Sequence, residues 1–184
     1  MKIYFAAPMF TKSDLLYNQQ LVKEIRELSS ELSIYLPQEN EAINDKTAYA
    51  DSRMIALADT EKVLASDLMI ALLDGLTIDA GVASEIGVAY AKGIPVIGLY
   101  TDTRQQGGTH PKKIAALQET AENQFHYLNL YTIGLIKLNG KVVSSETELL
   151  SEVKRFLDGG TFSDQRNQKG ANSFTCFWHI RCLL

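Results

Sequence analysis

Residues 72–100, LLDGLTIDAGVASEIGVAYAKGIPVIGLY, decide how this chain folds. The stretch opens on the end of an apolar run, Leu68–Leu73, and passes through an acidic loop. A helix then starts at Asp79, and a second apolar run follows, Pro95–Tyr100. Continuous apolar runs of this length suit strands covered on both faces. A helix between two such strands is the crossover of a parallel pair. Ala80–Ala91 is the crossover helix, ended by Lys92–Gly93. It is built almost wholly of small and apolar residues, yet it carries Glu85 six positions after Asp79. A carboxylate is costly to bury without a partner. Glu85 is therefore either a solvated residue or one held inside for chemistry.

The same alternation extends in both directions. Lys2–Ala6 is β-rich and Ser33–Leu36 is a second strand, stopped by Pro37. Leu15, Leu16, Gln19, Leu21, Val22, Ile25 and Leu28 mark one broad face of a helix within Thr11–Leu28. Asp51 caps a helix over Asp51–Ala65, and Gln38–Thr47 and Thr101–His110 are polar loops. Pro111–Ala121 is expected to be helical, Thr132–Leu138 a fifth strand before an Asn139–Gly140 turn and Lys141–Val143, and Glu146–Leu157 a final amphipathic helix. The expected fold is α/β: a single doubly wound, flavodoxin-like domain on a five-stranded parallel sheet, with right-handed crossovers. The domain spans residues 1–157. Beyond it, residues 158–184 read as a flexible or non-native tail, holding the sole Trp and both cysteines, Cys176 and Cys182.

Composition narrows the function classes. The chain has 184 residues, 46% hydrophobic and 22% charged, a net charge of −4 and a pI near 5.4. An acidic balance without Lys/Arg clusters argues against a nucleic-acid partner. No apolar run approaches the ~20 residues that cross a bilayer, so no membrane partner is expected. The start, MKIYFAAPMF, reads as a first strand and not as a signal peptide. The absence of cysteine before Cys176, and three scattered histidines, leave no metal site to expect. There is no GxGxxG, no GxxxxGK[ST] and no GxSxG, so carboxylate chemistry remains.

Ligands in open α/β sheets bind beyond the carboxyl ends of the strands. Residues Ala6–Thr11, Pro37–Asn40, Asp74–Asp79 and Tyr100–Gly107 should line that edge. Glu85 is a candidate nucleophile or base there, or a surface Glu paired with Lys92. Asp79 caps its helix, a role compatible with facing a ligand. Asp59 lies between Ile55 and Val63 on a partly apolar stripe, as a proton donor with a raised pKa or as a boundary acid paired with Lys62. Tyr4 alternates away from Ile3 and Phe5, either as a core ring or as a phenol bonded to a catalytic carboxylate. Phe10 is a lid or stacking ring, or a staple for the first helix. Asp67 sits at the wrong strand end for the site, whereas Asp74 sits at the right one.

Taken together, these residues resemble the nucleoside 2-deoxyribosyltransferase family. The matching segments are IYFAAPMFT at 3–11, DTEKVLASDLMIAL from Asp59, DAGVASEIGVAYAKGIPVIGLY from Asp79 and NLYTIGLI from Asn129. The resemblance implies a cofactor-free cytoplasmic enzyme of base salvage. It implies a 2′-deoxynucleoside and a free nucleobase as partners, purine or pyrimidine, and a homo-oligomer whose sites are completed by a neighbouring subunit. By position, Glu85 matches the nucleophile, Tyr4 the tyrosine that orients it and Asp59 the acid that protonates the leaving base. Asp79 matches a substrate-contacting acid and Phe10 a pocket aromatic. Asn129 matches the residue that reaches in from a neighbouring subunit near the sugar 5′-hydroxyl. Ala7 stands where many relatives carry Gly, and Pro37–Glu41 aligns loosely with the family's base-reading loop.

The chemistry suits these groups. Departure of the base from C1′ leaves an oxocarbenium-like centre that a carboxylate can capture, as in retaining glycosidases. A second base then attacks with overall retention. Two alternatives remain open. One is a hydrolase of the same superfamily acting on 2′-deoxynucleoside 5′-monophosphates, for which Lys12 and Ser13 are the only first-loop candidates to cradle phosphate. The other is a non-catalytic flavodoxin-like binding module.

Overall fold

The computed structural model describes residues 1–40, 50–106, 109–116, 118–120 and 127–162. Five strands form one all-parallel sheet: β1 (Lys2–Ala6), β2 (Ser33–Tyr35), β3 (Leu68–Leu72), β4 (Val96–Leu99) and β5 (Gly140–Val143), in the order β2-β1-β3-β4-β5. This is the flavodoxin-like order, with its switch point between β1 and β3. The helices are α1 (Lys12–Arg26), α2 (Ser52–Leu64), α3 (Ala80–Lys92), α4 (Pro111–Ala116), α5 (Leu130–Leu138) and α6 (Glu146–Leu157). No helix among the described residues is long and apolar enough to cross a membrane.

Strand alternation divides the core into two layers. Ile3, Phe5, Ile70, Ile97 and Leu99 meet Leu21, Val22 and Ile25 of α1 and Leu149 and Val153 of α6 on one face. Tyr4, Ala6, Met69, Ala71 and Val96 meet Val63 of α2, Val82, Ile86 and Ala89 of α3, and Ile133 and Ile136 of α5 on the other. The chain leaves β1 toward β2 and returns past it to β3, so α1 and α2 cover opposite faces. This places the phenol of Tyr4 under α2 and α3.

Helix entrances follow local chemistry. Thr11 and Asp14 form a capping box at α1. Asp51, Asp79, Asn129 and Ser145 cap α2, α3, α5 and α6. Helix α3 ends on Gly93 in the left-handed conformation, φ 79°. The helix expected from Pro111 ends at Ala116, and Gln118–Thr120 lie outside it.

One element differs from expectation. Thr132–Leu138 is not a strand; it lies within helix α5, and the fifth strand is the following segment, Gly140–Val143. The run LYTIGLIKL is apolar around its whole circumference, so periodicity carries no signal for either state. The deciding feature is Asn129, whose Oδ1 accepts from the amides of Tyr131 and Thr132 and so fixes a helix start. Tertiary fit completes the choice. Gly98 of β4 leaves room for Leu73 and for Ile136 of α5, which a Cβ there would approach to 2.8 and 3.1 Å.

Gly140 explains how β5 docks. A Cβ at this position would lie 1.9 Å from the carbonyl oxygen of Val96. The backbone of β5 therefore starts in direct contact with β4, and only glycine fits. Gly140→Ala is expected to cost more than about 2 kcal/mol, because the clash is with backbone and cannot relax by a rotamer change. A urea midpoint unchanged from wild type would refute this account of the edge.

Candidate active site

Tyr4 and Tyr35 are register partners on the adjacent strands β1 and β2, so their rings emerge side by side on one face. The ring centroids lie 5.5 Å apart at 29°. Each phenol meets an acid from a different helix. Tyr4 Oη donates to Glu85 Oε1 at 2.6 Å, and Tyr35 Oη donates to Asp59 Oδ1 at 3.4 Å. Glu85 is on the second turn of α3, brought over β1 by the cap at Asp79 and the contacts of Val82 and Ile86. Asp59 is in the middle of α2.

The two acids share a cleft of about 360 Å³ between these helices. Its walls are Ile55, Ala56 and Val63 of α2 and Gly81, Ser84 and Val88 of α3. The small residues of α3 divide between two roles. Ala89 packs with Val82 and Ile86 onto the sheet, whereas a Cβ at Gly87 would touch nothing. Gly81 and Ser84 instead leave the cleft open beside Glu85.

Burial dominates the electrostatics. It raises the Glu85 carboxyl to about 7, assisted by the charges of Asp59 and Asp79 and opposed by the hydrogen bond from Tyr4. Burial also raises Asp59, against the hydrogen bond from Tyr35. The Tyr4 phenol is pushed far up by burial and then by the charge of Glu85, so it stays a donor at any working pH. Among the described residues, no lysine or arginine lines the cleft. The arrangement gives one half-buried carboxylate a neutral donor and a second acid nearby, with no cation among the described residues of the cleft. Among the described residues no group of three His, Cys, Asp or Glu could hold a metal.

The structure brings Tyr4, Glu85 and Asp59 together, with Asp79 at the mouth, where its side chain accepts from the amide of Val82. The pairings of Glu85 with Lys92 and of Asp59 with Lys62 do not form; both acids bond phenols instead. Phe10 and Asn129 are not among the residues that line this cleft. Phe10 is 77% exposed on the loop after β1, and Asn129 is an exposed cap of α5. Asp67 binds the amide of Lys2, and Asp74 clamps the amides of Thr101 and Asp102, so both hold strands together. Sequence reasoning missed Tyr35 and Asn40, whose Nδ2 donates to the Tyr35 hydroxyl at 3.0 Å. The signal was present. Ser33–Leu36 was a strand beside Lys2–Ala6, and parallel pairing sets strand-end tyrosines next to each other. The segment 41–49, which includes most of the expected polar loop, lies outside the described residues.

The Glu85 shift carries a stability consequence. The folded-state value lies above the ordinary 4.5, so the native protein holds more protons than the unfolded chain between about 4.5 and 7. Stability should therefore fall as pH rises through that window and stay flat above it. Glu85→Gln removes the slope and keeps an acceptor for Tyr4. It is expected to be more stable than wild type by about 2 kcal/mol at pH 8, with the difference shrinking toward pH 4.5. Urea unfolding of both proteins at pH 5 and 8 measures this.

The chain matches the family model "Nucleoside 2-deoxyribosyltransferase" over residues 3–149. Among solved structures, it is similar to a conserved protein from Enterococcus faecalis V583, with 72% identity over 84% of this chain and 98% of that one, and a TM-score of 0.81. It also aligns with a 2-desoxiribosyltransferase from Leishmania mexicana at 21% identity, over 71% and 84% of the two chains, with a TM-score of 0.50. A 2-deoxyribosyltransferase from Bacillus psychrosaccharolyticus aligns at 24% identity over 54% and 72%, with a TM-score of 0.46. No curated protein matches the chain. With a family model spanning most of its length and the parallel sheet in the order described, this chain belongs to the nucleoside 2-deoxyribosyltransferase family.

Proposed function

We propose that this protein transfers 2-deoxyribose between nucleobases through a covalent glycosyl-Glu85 intermediate, with net retention. The observation that carries the reading is the 2.6 Å bond from Tyr4 to Glu85 beside a cleft shared with Asp59. Tyr4 occupies one lone pair of the carboxylate and fixes its plane. The other oxygen is left to attack C1′ of the sugar from the face opposite the base. Positive charge develops on the sugar as the base leaves, and the three acids Glu85, Asp59 and Asp79 stabilise that charge. Asp59, raised by burial, gives its proton to the departing base nitrogen. The same carboxylate then takes the proton of the incoming base. Asp79 at the helix mouth is the proposed hydrogen-bond partner of a sugar hydroxyl.

The acidic lining of the cleft, with no lysine or arginine among the described residues, favours an unphosphorylated nucleoside over a nucleoside monophosphate. The exposed residues Leu130 and Tyr131, beside the Asn129 cap, support a neighbouring subunit that brings Asn129 to the site. Purine and pyrimidine bases are both proposed as acceptors.

Incubation with deoxyinosine and adenine should give deoxyadenosine and hypoxanthine. Release of free deoxyribose alone, or reaction only with the 5′-monophosphate, would favour a hydrolase. Glu85→Ala should lower exchange by several orders of magnitude, as removal of a covalent nucleophile does; near-normal exchange would sink the assignment. Asp59→Asn should slow poor leaving groups most, because only they need the proton. An equal loss for all bases would count against a proton-donor role. In free enzyme, kcat/KM should rise with pH up to about 7 as Glu85 ionises.

A further inference from the structure

We propose that Tyr35 is a positioning residue that governs when Asp59 holds its proton. The inference rests on Asp59 being the acid of the proposed transfer, but its structural basis is separate. Tyr35 is tied on three sides. Its ring packs against that of Tyr4, its oxygen accepts from Asn40 Nδ2 at 3.0 Å, and its hydroxyl points to Asp59 Oδ1 at 3.4 Å. Because Asn40 can only donate through Nδ2, it occupies an acceptor site on the phenol oxygen and leaves the phenol proton for Asp59. Donation into the oxygen also makes the hydroxyl a better donor.

Asn40 is itself held in place. It closes a 3₁₀ turn, Pro37–Glu39, with its amide bonded to the carbonyl of Pro37. Glu39 is bound by Arg26 of α1 through two bonds, at 2.9 and 2.7 Å, and the same guanidinium donates to the carbonyl of Ile34. The orientation of Tyr35 is thus fixed from both strand and turn. The result is two stacked phenols, each assigned to its own carboxylate: Tyr4 to Glu85, and Tyr35 to Asp59.

The consequence is a sign. A hydroxyl donating to Asp59 stabilises the ionised form and so offsets part of the burial that favours the neutral one. That balance matters to an acid that must give a proton in one half-reaction and take one in the next. The titratable groups facing Asp59 are Tyr35 from β2, Tyr4 from β1 and Glu85 from α3; on its own helix, Lys62 places its ammonium 5.6 Å from the Tyr35 ring centroid. Lys62 is exposed and screened. Tyr35 is the group whose removal leaves the others in place.

The test uses the full chain with carboxyl-13C aspartate, the Asp59 signal being identified by its loss in Asp59→Asn. Tyr35→Phe keeps the ring packed on Tyr4 and deletes only the hydroxyl. The Asp59 midpoint is expected to rise by about one unit, the low end for a charged hydrogen bond because 3.4 Å is long. Asn40→Ala is expected to move it the same way by less, and it serves alone if Tyr35→Phe does not fold. In base exchange, the limb of the pH profile that follows Asp59 should move up with the midpoint, with transfer to the incoming base slowed more than release of the first base. A purely structural role would instead lower both steps at every pH and leave the midpoint fixed. An Asp59 midpoint that is unchanged or lowered overturns the inference. Absence of base exchange in wild type would overturn the proposed reaction, while the titration would still decide the role of Tyr35.

Discussion

A buried carboxylate with a single neutral hydrogen-bond donor is the constraint around which this molecule is organised. Glu85 is half-buried between α2 and α3 at the wall of their cleft, and among the described residues its hydrogen bond is to the phenol of Tyr4. A lysine or arginine in the place of Tyr4 would hold the carboxyl ionised more strongly. It would also neutralise the charge that the sugar cation of the proposed transfer needs. A phenol orients the carboxylate without cancelling it. The cost is an acid raised to about 7, which ionises only as the pH reaches neutrality. The sheet order produces this pairing. The switch point places Tyr4 on the strand that α2 crosses, and the cap at Asp79 starts α3 so that its second turn faces the same ring.

The acids of the chain separate by the partners they take. Asp14, Asp51 and Asp79 bind backbone amides at helix starts, Asp67 binds the amide of Lys2, and Asp74 binds those of Thr101 and Asp102. Each gives an orphan donor an acceptor, and its position is explained by the fold. Glu85 and Asp59 bind phenols instead, in a cleft, and neither satisfies a backbone group. Glu146 also takes a phenol, that of Tyr17, but does so between α1 and α6 on the opposite face of the sheet. Asp79 belongs to both groups, since its cap position sets it at the mouth of the cleft and its charge raises Glu85.

Much of this was legible in the sequence for identifiable reasons. The parallel sheet follows from apolar runs alternating with helical periods, and the strand alternation of Ile3, Tyr4 and Phe5 put the phenol on its own face. Glu85 stood out because an acid among Gly, Ala and Val has no local reason to be there. The fifth strand was misplaced because LYTIGLIKL has no polar face to reveal its period. The cap at Asn129 was the available clue, and a role at the substrate drew attention from it. Gly140 could not be read as an obligatory glycine, since its reason is the carbonyl of Val96, more than forty residues away. Tyr35 was passed over for a related reason. A tyrosine before a proline turn is unremarkable until the register with Tyr4 is known.

The proposed transfer makes a demand that one chain does not meet. A glycosyl-carboxylate ester reacts with whatever nucleophile reaches it, so a transferase must keep water out until a base arrives. In the single chain, α2 buries only Val63, and Leu57 of the same helix is 72% exposed. Phe10, Leu130 and Tyr131 are exposed to a similar degree. Covering such apolar residues releases free energy at roughly 25 cal/mol per Å², so in the proposed oligomer one burial would both close the site and hold the subunits together. On this reading, exchange and hydrolysis are two outcomes of the same Glu85 chemistry. The partition between them is set by how completely the rim of the cleft is covered, not by any residue that touches C1′.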